Sequence, residues 1–229
     1  MSLVHFKWDS QIGDVCTLFR QPLLLEAEAW RQLSEMAEAL AAELMSAEEE
    51  LLERPDVQEI LGIPRRLRKL FRQTKSCRAT PAAVRTLRFD FHYTNDGWRI
   101  SEVNSDVPGG YTESSCFVQL MSKCFPGTRC AGDPAKAWTE AMITVVGEHG
   151  HVALLSAPGF LEDQQITAFL ADQVQSRGAE TFLLHHPSQL KWRSGFASVA
   201  CGREFCGIDA IVRFYQGEWL ANLHPCSEW

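Results

Sequence analysis

The sequence predicts a mixed α/β (α+β) fold that joins N-terminal helices to a β-hairpin and a strand–helix–strand unit. Three observations predict it. Trp30, Leu33, Ala37, Leu40, Leu44 and Leu51 recur at helical spacing across a segment rich in Glu and Ala. Phe89 and Phe91 alternate with Arg88 and Asp90, the period of a half-buried strand, and Asn95-Asp96-Gly97 then supplies a turn signal. Finally, short apolar runs at 152–156, 181–184 and 208–215, the first two separated by a helical stretch, suggest a parallel sheet with crossover helices. At 229 residues, 45% of them hydrophobic, the chain is long enough to bury a sizeable core.

The elements follow in order. The first helix passes Glu48-Glu49-Glu50, a solvated face or helix end, and is punctuated at Pro55-Asp56, after which 57–61 form another helical turn. The run Arg65-Arg66-Leu67-Arg68-Lys69-Leu70-Phe71-Arg72 reads as a basic amphipathic helix packing Leu67, Leu70 and Phe71. Taken alone it would also suit a polyanion, but the chain around it is acidic. The hairpin occupies 88–104, and Val107-Pro108-Gly109-Gly110 makes a turn in which glycine permits close backbone approach. A helix over 112–124 is broken by Phe125-Pro126-Gly127, and a second spans 134–147 with Pro134 in its first turn. After the strand at 152–156, Pro158-Gly159 leads into a helix over 161–177 that ends at Gly178. This organisation divides the chain into a helical region (1–80), a hairpin-bearing region (81–150) and a strand–helix–strand region (151–229).

Composition narrows the function. A net charge of −7 and a pI near 5.5 argue against a general nucleic-acid binder. No apolar run approaches the roughly 20 residues of a membrane helix, and the N-terminus lacks the apolar core of a signal peptide. A cytoplasmic protein with neither nucleic-acid nor membrane partners is expected. The 8 cysteines form no C-x-x-C pair, so zinc is not expected; most should be reduced and several buried. Cys201 and Cys206 flank Gly202 on a short loop or hairpin. His149, His151, His185 and His186 lack ligand partners at useful spacing and read as surface or strand-end residues. The Ser-Ala-Pro-Gly loop at 156–159 is no dinucleotide fingerprint.

The chemistry concentrates on the hairpin. A two-residue Asp96-Gly97 turn would set Asp90 against Val103, on the wrong face. A three-residue Asn95-Asp96-Gly97 loop shifts pairing by one, so that Asp90 faces Glu102 and Arg88 faces Asn104, with Phe89, Phe91, Ser101 and Val103 on the other face. The second register separates apolar from polar residues. Two like charges directly opposed on a sheet are destabilising, and a divalent cation would compensate. Asp90, Glu102 and Asn104 are hard oxygen donors suited to Mg²⁺, which takes one or two carboxylates and completes its shell with water and phosphate. Arg88 suits a phosphate or developing phosphoryl charge. The plainer alternative is an exposed polar hairpin with an Arg–Asp pair.

The pattern Arg88-x-Asp90 followed by Glu102-x-Asn104-x-Asp106-x-Pro108 resembles the glutathionylspermidine synthase-like ligases, which have a circularly permuted ATP-grasp fold. Ile211-Val-Arg-Phe-Tyr215-Gln-Gly-Glu218-Trp219-Leu220 resembles the same family's strand ending in Tyr-x-x-Glu-Trp-Leu, in family order, and the likeness covers about residues 20 to 223. The resemblance implies a partial ATP-grasp fold with a pre-ATP-grasp-like unit in the last third. It implies Asp90, Glu102 and Asn104 as Mg²⁺ ligands, Arg88 as the residue stabilising the transferring phosphoryl group, and Asp106, Thr112 and Glu113 near the substrate. Thr112-Glu113 is similar to a family Thr-Glu pair, whereas Val107 and Gly109 stand where relatives can carry small hydroxyl residues. The implied activity is ATP- and Mg²⁺-dependent ligation of a small peptide or amino-acid carboxylate to an amine through an acyl phosphate. In the family the lysines and glycine-rich loop that hold ATP follow this segment. Most of the ATP site is therefore expected outside the chain, with a complementary domain possible in trans and no activity from the chain alone. A non-catalytic descendant that binds a small ligand or partner is the alternative.

Overall fold

A computed structural model describes residues 6–8, 10–19, 21–74 and 85–224. The protein is mixed α/β, 44% helical and 24% strand, with several small sheets. It groups into two compact units, one of residues 25–105 and one of residues 1–24 with 106–229. This grouping differs from a division at 80 and 150, because the N-terminal segment folds with the C-terminal part of the chain. There Phe6 packs at 6.0 Å from Phe169, and the Trp8 amide donates to Gln165 at 2.8 Å.

In the unit of 25–105, helix α1 (Ala27–Glu53) is followed by α2 (Pro55–Ile60) and α3 (Arg65–Thr74). Arg31 pairs with Glu28 and Glu35 one turn either way along α1, the spacing at which helical side chains meet. Pro55 has no amide to continue the ladder, and it opens α2. The buried Gln58 amide donates at 2.8 Å to the Leu51 carbonyl, which also accepts from the Arg54 N–H at 3.3 Å where α1 ends. The basic run forms α3 as expected, but Leu70 is half exposed, so the apolar stripe is only partly covered. Strands β3 (Arg88–Thr94) and β4 (Gly97–Asn104) complete this unit as an antiparallel hairpin.

The other unit is built on a parallel sheet. A small ribbon of β1 (Gln11–Ile12) and β2 (Val15–Cys16) lies in its N-terminal segment. A π-helical turn (Thr112–Phe117) runs into α4 (Val118–Ser122), where a plain α-helix is expected. Helix α5 (Pro134–Val146) is capped by Asp133, whose carboxylate accepts from the Lys136 amide at 3.0 Å. Strand β5 (His151–Ser156), helix α6 (Leu161–Gln175) and strand β6 (Glu180–Leu184) form the expected parallel crossover. Residues 191–208, unassigned apart from the Cys201/Cys206 loop and Ile208, expected to open the 208–215 strand, form an antiparallel sheet of β7 (Lys191–Arg193), β8 (Phe196–Cys201) and β9 (Glu204–Ile208). Strand β10 (Ala210–Phe214) returns parallel to β5, giving the order β10-β5-β6, and α7 (Gly217–Ala221) follows.

Alternation along β5 explains the layering. Val152 and Leu154 face Ile166, Phe169, Leu170 and Val174 of α6, while Ala153 and Leu155 face Leu190, Ala197 and Val199 of the antiparallel sheet. Both faces of β5 are covered, which is why its sequence is continuously apolar rather than alternating. Leu154, Leu155 and Leu170 are fully buried, each contributing on the order of 2 kcal/mol relative to exposure.

Candidate functional site

The hairpin brings four predicted residues together. Arg88 pairs with Asn104 and Asp90 with Glu102 across the strands, the register expected. The route to it is different. The strands are joined by Asn95 and Asp96 alone, with Thr94 opposite Gly97 and Tyr93 opposite Trp98. Without correction this tight turn would place Asp90 against Ser101. A bulge at Asp90/Phe91 leaves Ser101 as the extra residue and restores the one-residue offset. Ser101 Oγ donates to the Asp90 carbonyl at 3.0 Å, holding the bulge. The bulge also puts Ile100, rather than Ser101, opposite Phe91, so the apolar face is more complete than the sequence register implies. Gly97 sits at φ 87°, where a side chain would be strained.

Arg88 Nε and Nη2 grip the Asp90 carboxylate at 2.9 and 3.0 Å, a bidentate fork between residues two apart on one strand face. Both side chains are about one-third exposed, so the pair is reachable from solvent. Glu102 is exposed, and neither its side chain nor that of Asn104 forms a hydrogen bond or ion pair among the described residues, which leaves their side-chain oxygens available. Among the described residues no three His, Cys, Asp or Glu side chains come together as a metal cluster. A cation here would rest on two carboxylates, one amide and external ligands. That donor set fits Mg²⁺, which seldom uses an all-protein cage, and Asp90 would share its oxygens between the ion and Arg88.

The remaining predicted residues belong to the other unit. Asp106 accepts from the Gly217 amide at 2.9 Å and pairs with Arg213, whose Nη1 also donates to the Tyr215 carbonyl at 2.5 Å. Asp106 thereby ties the end of the first resemblance motif to the second, a link that spacing alone could not reveal because 107 residues separate the two charges. Thr112 is fully buried, with a hydroxyl that finds no partner among the described residues. Glu113 forms a 2.5 Å ion pair with Lys7, which is 8% exposed at its side chain. Lys7 is a residue that sequence reasoning missed, and only its distant partner gives it meaning. Glu113 also borders a cavity of about 260 Å³ whose apolar wall includes Leu23, Phe117, Val118 and Met121.

The cysteines and histidines form no metal-holding cluster among the described residues. Cys201 and Cys206 sit on the β8–β9 hairpin, as expected, and form a disulfide across it, an exception to the expectation that most cysteines are reduced. Cys16, Cys116, Cys124 and Cys130 are free but none is fully buried, and Cys77 and Cys226 lie outside the described residues. Burial, with Asp133 and Asp172 nearby, pushes the Cys116 thiol up, away from the reactive thiolate. His151 Nδ1 lies 2.8 Å from the Gly207 carbonyl, and His186 caps a 3₁₀ turn at Pro187–Gln189. Among the described residues no helix is long and apolar enough to cross a membrane.

Comparison with known proteins finds no matching family model and no curated protein of significant similarity.

Proposed function

We propose that this chain carries the metal-holding part of an ATP- and Mg²⁺-dependent carboxylate–amine ligase resembling the glutathionylspermidine synthase-like family. The observation that supports it most is the opposed pair of Asp90 and Glu102, with Arg88 and Asn104 as the next pair on the same hairpin. A bulge that restores this pairing after a tight turn costs ladder hydrogen bonds, and two opposed carboxylates repel, so the arrangement makes sense as a ligand set. Asp90, Glu102 and Asn104 would hold Mg²⁺, and the ion would neutralise charge on the nucleotide phosphates. Arg88 holds Asp90 in place and is the candidate for stabilising charge on the transferring phosphoryl group. Glu113, at the rim of an apolar cavity, is the substrate-facing candidate among Asp106, Thr112 and Glu113. The carboxylate would come from a small peptide or amino acid, activated by ATP as an acyl phosphate and captured by an amine.

Mn²⁺ water-proton relaxation tests this reading. Weak, saturable binding should tighten when ATP is added and fall at least about tenfold in the Asp90→Asn/Glu102→Gln double variant. Equal binding by both proteins removes the site. One observation favours a second reading: Arg88 already occupies both Asp90 oxygens. A hairpin without Mn²⁺ affinity would assign the chain to the non-catalytic, ligand- or partner-binding class.

A further inference from the structure

Among the described residues the parallel sheet has a free edge, with a cleft beside it. Strand β6 pairs with β5 on one side only. A cleft of about 540 Å³ is bordered by Thr181, Phe182, Leu183 and Leu184. These are consecutive residues whose side chains point alternately to the two faces, so the cleft follows the edge of the strand rather than either face. Its far wall comes from the antiparallel sheet, with Lys191, Val199 and Phe205. Leu183 is 44% exposed and Phe205 63%.

An open edge presents a row of main-chain donors and acceptors, and proteins usually blunt such edges with lysine, proline or a bulge. The opposite edge strand, β10, carries Arg213. Within β6 the one charged residue is Glu180 at its start, 3.4 Å from His151 of β5, and the run Thr181-Phe-Leu-Leu184 after it has no charge, proline or bulge. From Thr181 on, the edge therefore keeps its capacity to pair, and the cleft beside it is lined mainly by apolar residues, with Lys191 its one charged residue.

We propose that the β6 edge is a peptide-binding site that takes an extended segment of about five residues as a fourth strand of the parallel sheet. Main-chain hydrogen bonds to β6 supply the affinity. Alternate β-branched or aromatic side chains rest on Leu183 and Phe205, and an acidic residue meets Lys191, which is exposed and forms no ion pair among the described residues. A second copy presenting its own β6 would bring its own wall to the same edge, so a separate extended peptide fits the cleft better than self-pairing does. The site uses no residue of the hairpin and stands or falls independently of the ligase reading.

The test uses fluorescence polarisation with a fluorescein-labelled peptide of alternating valine and threonine bearing an aspartate at each end. Saturable binding is expected. N-methylation of one alternate set of amides should weaken it at least about tenfold, because those donors face β6, while methylation of the other set leaves it unchanged. Lys191→Glu, a surface change, should weaken the aspartate probe several-fold and favour a lysine-ended counterpart. Absence of saturable binding overturns the proposal. So does equal loss, or no loss, from the two methylation sets, since either removes main-chain pairing. A dimer by light scattering that the probe dissociates would give the edge to a second copy and overturn it as well.

Discussion

Asp106 illustrates how one side chain can join distant parts of the chain. Its carboxylate serves both the Arg213 guanidinium and the amide that starts α7. Both ionic side chains are 33–43% exposed, so solvent weakens the pair, and the loss on Asp106→Ala should be about 1–2 kcal/mol. The urea midpoint should fall with the slope unchanged, and Arg213→Lys should fall less because the Asp106 to Gly217 bond survives. Asp163, in the first turn of α6, behaves in the opposite sense. Burial, with Glu162 beside it, raises its carboxyl to about 6, and one of its oxygens is buried without a partner among the described residues. A raised acid binds its proton more tightly in the folded state than in the unfolded one. Its stabilising contribution is complete below about pH 4 and is lost as pH rises through about 6. Asp163→Asn should therefore stabilise the protein at pH 7 relative to wild type, with the advantage shrinking toward pH 4, as followed by thermal unfolding across that range. An unchanged difference between the two proteins from pH 4 to 7 would refute it.

At the scale of elements, the connections carry the most stringent demands. The turn from α5 into β5 brings Gly150 so close to the preceding helix that an added Cβ would lie 2.4 Å from the Val146 carbonyl oxygen. Backbone cannot move aside as a side-chain tip can, so Gly150→Ala should cost roughly 1–3 kcal/mol. Gly207, within β9 and with open space around it, is the matched control and should tolerate alanine with little change in melting temperature. In the hairpin, Gly97→Ala meets no neighbour, yet its φ of 87° makes the variant about 1 kcal/mol less stable. The hairpin also marks where sequence reasoning reached the right pairing for a partly wrong reason. Alternation of Phe89, Asp90 and Phe91 demanded that Asp90 meet Glu102, and it does. Whether turn length or a bulge would provide the offset was not legible, because Asn95-Asp96-Gly97 is compatible with both loops.

Across the molecule, burial is uneven. The unit holding the parallel sheet contains nearly all the fully buried apolar side chains, from Val152 and Leu154 to Leu170 and Val212, whereas among the described residues of 25–105 only Leu33 is a buried apolar residue. Amide hydrogen exchange should accordingly be slowest in β5, β10 and α6 and faster by orders of magnitude in α1 and α3. Leu154→Ala should cost about 2–5 kcal/mol and lower that protection globally. Equal protection in both units would show that the helices are held by burial not visible among these residues.

The helices of 27–74, the hairpin, and the β5–α6–β6 crossover were determined by the sequence itself, because each carries a local period or stop signal that its neighbours reinforce. The pairing of Asp90 with Glu102 was determined the same way, by the need to keep Phe89 off the polar face. The sheet over 191–208 was not legible: its strands are short, and Phe196 and Phe205 point to solvent, so no clean alternation marks them. Tertiary structure alone decided that Lys7 meets Glu113, that Asp106 meets Arg213, and that β6 ends as an open edge. These features join residues far apart in the chain or depend on which strand goes unpaired, and no local pattern of residues encodes either.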